Sequence, residues 1–193
     1  MMKAAIINVT GYAGIELARL LHRHPEVELA QVTGRSAVGQ KLGEAFPHLS
    51  DIDLEIEGEV TNSVDVVFSA LPQTASAEAL IPMVEMGIKS IDISADFRIK
   101  DASEYEKWYG VAHPKPQLLE ESVYGLPELN RYEIRSAMLV ANPGCYPTGA
   151  ILALAPAIKE GIVQEDIIID AKSGVSGAGR GLTMTTHFSE VNE

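Results

Sequence analysis

Cysteine is nearly absent from this sequence of 193 residues: Cys145 stands alone, which excludes an internal disulfide and fits a reducing cytoplasm. Basic residues are also scarce, 15 Lys and Arg against 27 Asp and Glu, for a net charge of −12 at pH 7. An extended surface for nucleic acid or an anionic membrane is therefore excluded, while a local basic site for an anionic cofactor is not. No apolar run approaches the roughly 20 residues of a membrane span. Met1-Met2-Lys3 leads straight into a strand-like run rather than a leader peptide, which again predicts a cytoplasmic protein. There is no Gly-Lys-Ser/Thr, so a triphosphate P-loop finds no support. No Cys/His cluster has ligand spacing, so no metal is expected. Repeats and low-complexity tracts are missing as well.

What remains is ordinary globular composition, 46% hydrophobic and 22% charged, with length for one large or two small domains. Residues 3–9 hold the run Ala-Ala-Ile-Ile, fit for a buried parallel strand. A turn at 10–14 follows, then an amphipathic helix over 15–24 stopped by Pro25. Further strands are predicted at 27–33, 65–71, 89–93 and 137–141, with a helix over 74–86 that is interrupted near Pro82 and ends at Gly87. Alternation of strand, turn and helix predicts an α/β fold, a Rossmann-like doubly wound parallel sheet with helices on both faces. Residues 95–133 read as an irregular excursion with short helices, whose Tyr105, Trp108, Tyr109, Tyr124 and Tyr132 imply packing against something. Beyond a helix over 148–159, residues 166–171 read as a strand and 173–181 as a glycine-rich loop.

Cys145 sits in Asn142-Pro143-Gly144-Cys145-Tyr146-Pro147-Thr148. Pro147 fits the first helical position, where its missing N–H costs nothing. The thiol then lies just before a helix start, where unpaired N–H groups and the positive helix end favour thiolate over thiol. A lone cysteine is more often a small buried hydrophobe. The turn–Cys–Pro–helix context argues for a nucleophile instead.

Asn8-x-x-Gly11-x-x-Gly14 falls where the first strand meets the first helix. Gly11 and Gly14 allow a pyrophosphate to approach the backbone at the helix N-terminus. Asn8 stands where such turns usually begin with glycine, and asparagine tolerates the left-handed conformation. After the second strand comes Thr33-Gly34-Arg35-Ser36, without the acid that binds a ribose 2′-hydroxyl. Arg35 and Ser36 suit a 2′-phosphate, which predicts NADP over NAD. In Ser173-Gly174-Val175-Ser176-Gly177-Ala178-Gly179-Arg180-Gly181 the backbone N–H groups and Arg180 suit an anion. A flexible hinge is the competing reading.

Taken together, these segments resemble the N-acetyl-gamma-glutamyl-phosphate reductases of arginine biosynthesis. The matching stretches are Thr10-Gly11-Tyr12-Ala13-Gly14-Ile15-Glu16-Leu17, Phe68-Ser69-Ala70-Leu71-Pro72, Asp92-Ile93-Ser94-Ala95-Asp96-Phe97-Arg98, Tyr124-Gly125-Leu126-Pro127-Glu128-Leu129-Asn130, Asn142-Pro143-Gly144-Cys145-Tyr146-Pro147-Thr148 and the glycine-rich loop. The resemblance implies an oxidoreductase that reduces N-acetyl-gamma-glutamyl phosphate to N-acetylglutamate semialdehyde with NADPH. Cys145 would be its nucleophile, by way of a thioester. It implies cofactor contacts from Thr10, Gly11, Tyr12, Ala13, Gly14, Arg35, Ser36, Leu71, Pro72, Ser173 and Gly174, and substrate contacts from Asn142, Ser176 and Arg180. It also implies an NADP-binding domain over 1–143 and the beginning of an α+β catalytic domain over 144–193.

Asn8 departs from the family's first glycine. Family chains are longer and carry a catalytic histidine beyond this sequence, and His187 is not given that role. The expectation is a fragment of a larger protein, a homo-oligomer at full length, acting on a small acyl phosphate with no nucleic-acid or membrane partner. An aminoadipyl-phosphate reductase of lysine biosynthesis and a non-catalytic NADP-binding module remain as alternatives. The glutamyl and aminoadipyl substrates differ by about one methylene, worth ~1–3 kcal/mol of discrimination.

Overall fold

The structure is a computed structural model that describes residues 1–61, 63–163 and 166–190. Among the described residues seven strands, β1 Met2–Ile7, β2 Val27–Thr33, β3 Ile56–Glu57, β4 Val66–Ser69, β5 Lys89–Asp92, β6 Val123–Tyr124 and β7 Leu139–Ala141, form one sheet in the order β3-β2-β1-β4-β5-β7-β6. Every neighbouring pair is parallel. The helices are α1 Tyr12–His22, α2 Leu42–Ala45, α3 Ala75–Glu85, α4 Ala102–Tyr109, α5 Gln117–Glu121, α6 Pro127–Ser136 and α7 Cys145–Lys159. Strand order reverses between β1 and β4, the switch point beside which open parallel sheets bind ligands at their C-terminal edge.

Successive strand residues point to opposite faces, and the core divides accordingly. Ala4, Ile6, Val32 and Val66 join Ala18 and Leu21 of α1 and Leu42 of α2 on one face. Ala5, Val67 and Leu139 join Ala77 and Leu80 of α3, Tyr105 of α4 and Leu118 and Leu119 of α5 on the other. Each fully buried Leu or Ile contributes about 1.5–3 kcal/mol, so both helical layers are held by burial. The doubly wound sheet is thus as expected.

Several boundaries differ from the sequence reading. Helix α1 begins at Tyr12 rather than 15, inside the predicted turn. Strands β3 and β6 have two residues each, too short to leave a periodic signal. The excursion over 95–133 contains α4, α5, β6 and most of α6. Asp101 caps α4 by accepting from Ser103 N and Glu104 N at 2.8 and 3.0 Å, and Gly110 ends it at φ 72°. Its aromatics split, with Tyr105 fully buried and Trp108 71% exposed. Pro82 does not break α3, which runs through it at the cost of one backbone hydrogen bond.

Residues 166–171 form no strand. They run beside α7 and reach neither sheet edge, β3 or β6, so they lack the ladder a strand requires. Helix α7 has no buried residue, and Ile168 and Leu182 beyond it are 96% and 98% exposed. No helix of the described residues is long and apolar enough to cross a membrane.

His113, in the loop between α4 and α5, is buried. Its Nδ1 accepts from Lys115 N at 3.1 Å, and its ring meets those of Tyr105 and Phe97 edge-on at 5.0 and 5.1 Å. Burial pushes its pKa below the ordinary histidine value, against the pull of Asp96 and Asp92. The depressed folded value makes this stabilisation complete above the unfolded pKa of about 6.5, and it fades as pH falls through the folded one. Thermal unfolding from pH 7.5 down to 5 should therefore show stability lost on acidification, at no more than about 1.4 kcal/mol per pH unit from this group. The His113→Gln variant should show a flatter profile. An identical slope in the variant would assign the effect to other groups.

Candidate functional site

Parallel strands place every β-to-helix turn on one edge of the sheet, so the Gly11–Gly14 turn after β1 and the Cys145 turn after β7 share that edge. At the first turn Asn8 adopts φ 68°, the left-handed conformation expected from its identity, and its Nδ2 donates to Ala70 O at 2.8 Å. This bond ties the turn to the end of β4. Gly11 caps α1 without any side-chain hydrogen bond, leaving the first-turn N–H groups to a ligand or solvent. Gly14 cannot be replaced without movement, because a Cβ there would lie 2.5 Å from Asn8 O and 2.7 Å from Val9 Cα. Both are backbone atoms. Gly14→Ala should destabilise the protein by about 2–3 kcal/mol, read as a shift in the urea midpoint with unchanged slope. A midpoint equal to wild type would mean that the turn relaxes freely.

Beside this turn lies a cavity of about 380 Å³, bounded by Asn8, Gly34, Arg35, Leu71, Ala75 and Met83 among others. Its size suits a nucleoside. Of the cofactor residues that the sequence reading singled out, Arg35 and Leu71 line it; Thr10, Gly11, Tyr12, Ala13 and Gly14 form the turn beside it and, like Ser36 and Pro72, are not in its wall. The Ser36 hydroxyl instead donates to Thr10 Oγ1 at 3.4 Å. Two carboxylates missed from sequence, Glu59 and Glu78, also line the cavity. They come from the segment after β3 and from α3, so nothing near Arg35 in the chain announced them. The glycine cradle, the uncapped helix and Arg35 in the cavity wall fit a nicotinamide dinucleotide.

Cys145 is itself the first residue of α7, with Gly144 as N-cap, so Pro147 falls third in the helix rather than first. Its missing N–H is still one of the unpaired first-turn positions. The thiol is free and exposed. The preceding loop is fixed from two sides. Asn142 N donates to Asp92 O at 2.8 Å, and Arg98 Nε donates to Asn142 O at 2.8 Å. Arg98 Nη2 donates to Ile93 O at 2.9 Å, and its Nη1 would stand 3.1 Å from a Cβ at Gly144. Arg98 therefore brings a cation to the cysteine turn. Its place in the quoted Asp92-to-Arg98 stretch was the available signal. Gly125 packs on the same loop, where a Cβ would lie 2.7 Å from Val140 Cγ1 and 3.2 Å from Asn142 Cα.

The glycine-rich loop reaches both turns. Ser173 and Gly174 line a hollow of about 510 Å³ with Cys145 and Tyr146, whereas Ser176 is not part of its wall. Arg180 does not face Cys145. Its Nη1 donates to Thr10 O at 3.2 Å and its guanidinium lies 5.0 Å from the Phe46 ring centre. Burial raises the phenol pKa of Tyr124, which precedes Gly125, despite the nearby Arg98.

Comparison with known proteins places this geometry in context. Residues 3–137 match the family model described as semialdehyde dehydrogenase, NAD binding domain, and residues 145–193 match that of the semialdehyde dehydrogenase, dimerisation domain. The chain is 57% identical over 191 residues to an N-acetyl-gamma-glutamyl-phosphate reductase of Dehalococcoides mccartyi, covering 99% of this chain and 56% of that one. It is 53% identical over 198 residues to the enzyme so named from Pelotomaculum thermopropionicum, covering 100% and 57%. The chain thus spans little more than half the length of these curated relatives. Among solved structures it is similar to aspartate semialdehyde dehydrogenase II of Vibrio cholerae, with TM-score 0.59, 18% identity and coverage of 82% and 47%. The aspartate semialdehyde dehydrogenase of Candida albicans with NADP follows at TM-score 0.56, 18% identity and coverage of 84% and 48%.

Proposed function

We propose, from the premise that this chain belongs to the semialdehyde dehydrogenase family, that it carries the cofactor domain and the nucleophile of an N-acetyl-gamma-glutamyl-phosphate reductase. The observation that carries the reading is Cys145, exposed as the first residue of α7 on the sheet edge that also bears the Gly11–Gly14 turn. Similarity to relatives named for this reaction favours the glutamyl over the aminoadipyl substrate. Residues 1–143 form the dinucleotide-binding unit and 144–193 begin the catalytic one. The full-length protein self-associates, in keeping with the match to a dimerisation domain, and acts in the cytoplasm.

In this reaction Cys145 Sγ, as thiolate, attacks the acyl-phosphate carbon, and the C–O bond to phosphate breaks with release of inorganic phosphate. The product is a thioester on Cys145. NADPH, when bound, supplies the hydride that reduces this thioester. The resulting thiohemiacetal oxyanion re-forms its C=O bond as the C–S bond breaks, releasing the aldehyde and returning the thiolate. Asn142, held between Asp92 O and Arg98, fixes the loop that aims Sγ. Arg98 Nη1 offers positive charge for the phosphate or the developing oxyanion. Asn8, Thr10, Gly11, Tyr12, Ala13 and Gly14 hold the dinucleotide pyrophosphate, Leu71 forms the wall beside it with Pro72 following it in the chain, and Ser173 and Gly174 hold the nicotinamide end. Arg35 and Ser36 select NADPH through its 2′-phosphate. Ser176 and Arg180 approach the substrate only if their loop shifts from its position here.

The test runs the reaction backwards in the full-length protein, with N-acetylglutamate semialdehyde, phosphate and NADP. Phosphate-dependent NADPH formation supports the reading. NADPH binding without turnover on either acyl phosphate would replace it with a non-catalytic dinucleotide module.

A further inference from the structure

We propose that Asp96 is a positioning residue for the dinucleotide, holding residues 71–77 in a strained bend whose apolar side forms the cofactor wall. The inference rests on the reductase reading for the identity of the ligand and on the geometry below for everything else.

Thr74 has φ 69° and ψ −49°. This lies near the rare γ-turn conformation, which an L-residue avoids and a β-branched one avoids most. Strain of this kind persists where its surroundings over-determine it, and it marks places where geometry matters to function. Here the surroundings are one buried carboxylate. Asp96 is fully buried. Its Oδ1 accepts from Thr74 N at 2.8 Å and its Oδ2 from Ala77 N at 2.8 Å, so it caps the first turn of α3 and pins the strained residue together. Thr74 makes no side-chain cap of its own. Tyr105 OH adds a third donor to Oδ1 at 3.1 Å.

The pinned segment faces the ligand side. Leu71, just before the bend, and Ala75, just after it, both line the dinucleotide cavity, as do Glu78, Ala79 and Met83 farther along α3. Asp96 touches neither the cavity nor Cys145. It acts through α3, setting where the wall stands before any ligand arrives. The neighbouring Asp92 reinforces the arrangement. Its Oδ1 accepts from Ser76 Oγ at 2.6 Å, and its backbone oxygen accepts from Asn142 N at 2.8 Å. One loop, 92–98, therefore fixes the cofactor wall with one set of bonds and the cysteine loop with another. Asp92 takes part in both attachments, whereas the bonds of Asp96 go to α3 and not to the cysteine loop, so a change at Asp96 separates them.

Asp96→Asn tests this. An amide has one accepting oxygen, so one of the two α3 N–H groups would meet an NH₂ donor in place of an acceptor. In the full-length protein, NADPH dissociation constants from fluorescence titration should rise about tenfold, which is ~1.4 kcal/mol. The rate of Cys145 alkylation by iodoacetamide should stay at the wild-type value. Tyr105→Phe removes a partner from the same carboxylate without releasing α3, and it should lower thermal stability but leave NADPH affinity unchanged. Wild-type NADPH affinity in Asp96→Asn overturns the proposal. So does an equal loss in Tyr105→Phe, or a parallel loss of Cys145 reactivity, since either would make Asp96 a general stabiliser. If Asp96→Asn does not fold, hydrogen exchange on the wild type decides. Thr74 and Ala77 amides that are slow before NADPH is added support a preset wall, and amides that slow only with NADPH overturn it. A wild type that binds neither NADPH nor NADH removes the reductase reading and this proposal together. Binding by the wild type with no change in the variant removes this proposal alone.

Discussion

Cys145→Ser in the full-length protein should lower phosphate-dependent semialdehyde turnover at least ~10³-fold, about 4 kcal/mol of transition-state stabilisation, with NADPH affinity unchanged. A serine hydroxyl in that position needs a base to remove its proton, whereas sulfur is the far stronger nucleophile toward an acyl carbon. The groups fixed around the turn are Asn142 and the guanidinium of Arg98, and neither accepts a proton. The side chain is exposed and terminates no core cluster, so the change should cost little stability. Turnover is read by NADPH absorbance, affinity by fluorescence titration and folding by thermal melt. Retained turnover in a folded variant would show that the acyl group is not carried on this residue.

Arg35→Glu should reverse coenzyme choice, moving the ratio of kcat/KM for NADPH over NADH by ~10²-fold, about 2.7 kcal/mol. Among the described residues lining the cavity, Arg35 is the one cation, while Glu59 and Glu78 already bring two carboxylates. A 2′-phosphate entering without Arg35 would meet three acids and no counter-charge. NADH, which lacks that phosphate, should be affected far less. Equal loss on both coenzymes would mean that Arg35 supports the cavity and does not read the phosphate.

The sheet was legible because its central strands are short runs of Ala, Val and Ile bounded by turn residues, and β2 matches its predicted span of 27–33 residue for residue. The two-residue strands β3 and β6 were not legible, since pairing at that length is decided by the neighbouring strand and leaves no periodic trace. Residues 166–171 show the converse: an Ile-Ile-Ile run carries strand propensity, but a strand exists only where a partner offers a ladder. At the site, residues that act through contiguous sequence were readable. Asn8 takes the left-handed backbone its side chain tolerates, and Gly14 leaves the space that its neighbours need. Residues that act by meeting across the fold were not. Arg98 reaches Asn142, and Glu59 and Glu78 come to line the same cavity as Arg35, through packing that no local pattern encodes.

All-parallel pairing gives this molecule two unequal rims. Turns leaving the strands hold Asn8, Arg35, Leu71, Asp96 and Cys145, while those entering β2, β5 and β7, at 23–26, 86–88 and 137–138, hold none of them. Gly87, at φ 78° with open space around it, sits on this second rim. Sequence change is therefore cheap on one side of the sheet and expensive on the other. A reporter domain or affinity tag spliced at Gly87 would hang from the rim opposite both the nucleotide cavity and the thiol, which makes that loop the natural handle for labelling the protein without disturbing its chemistry.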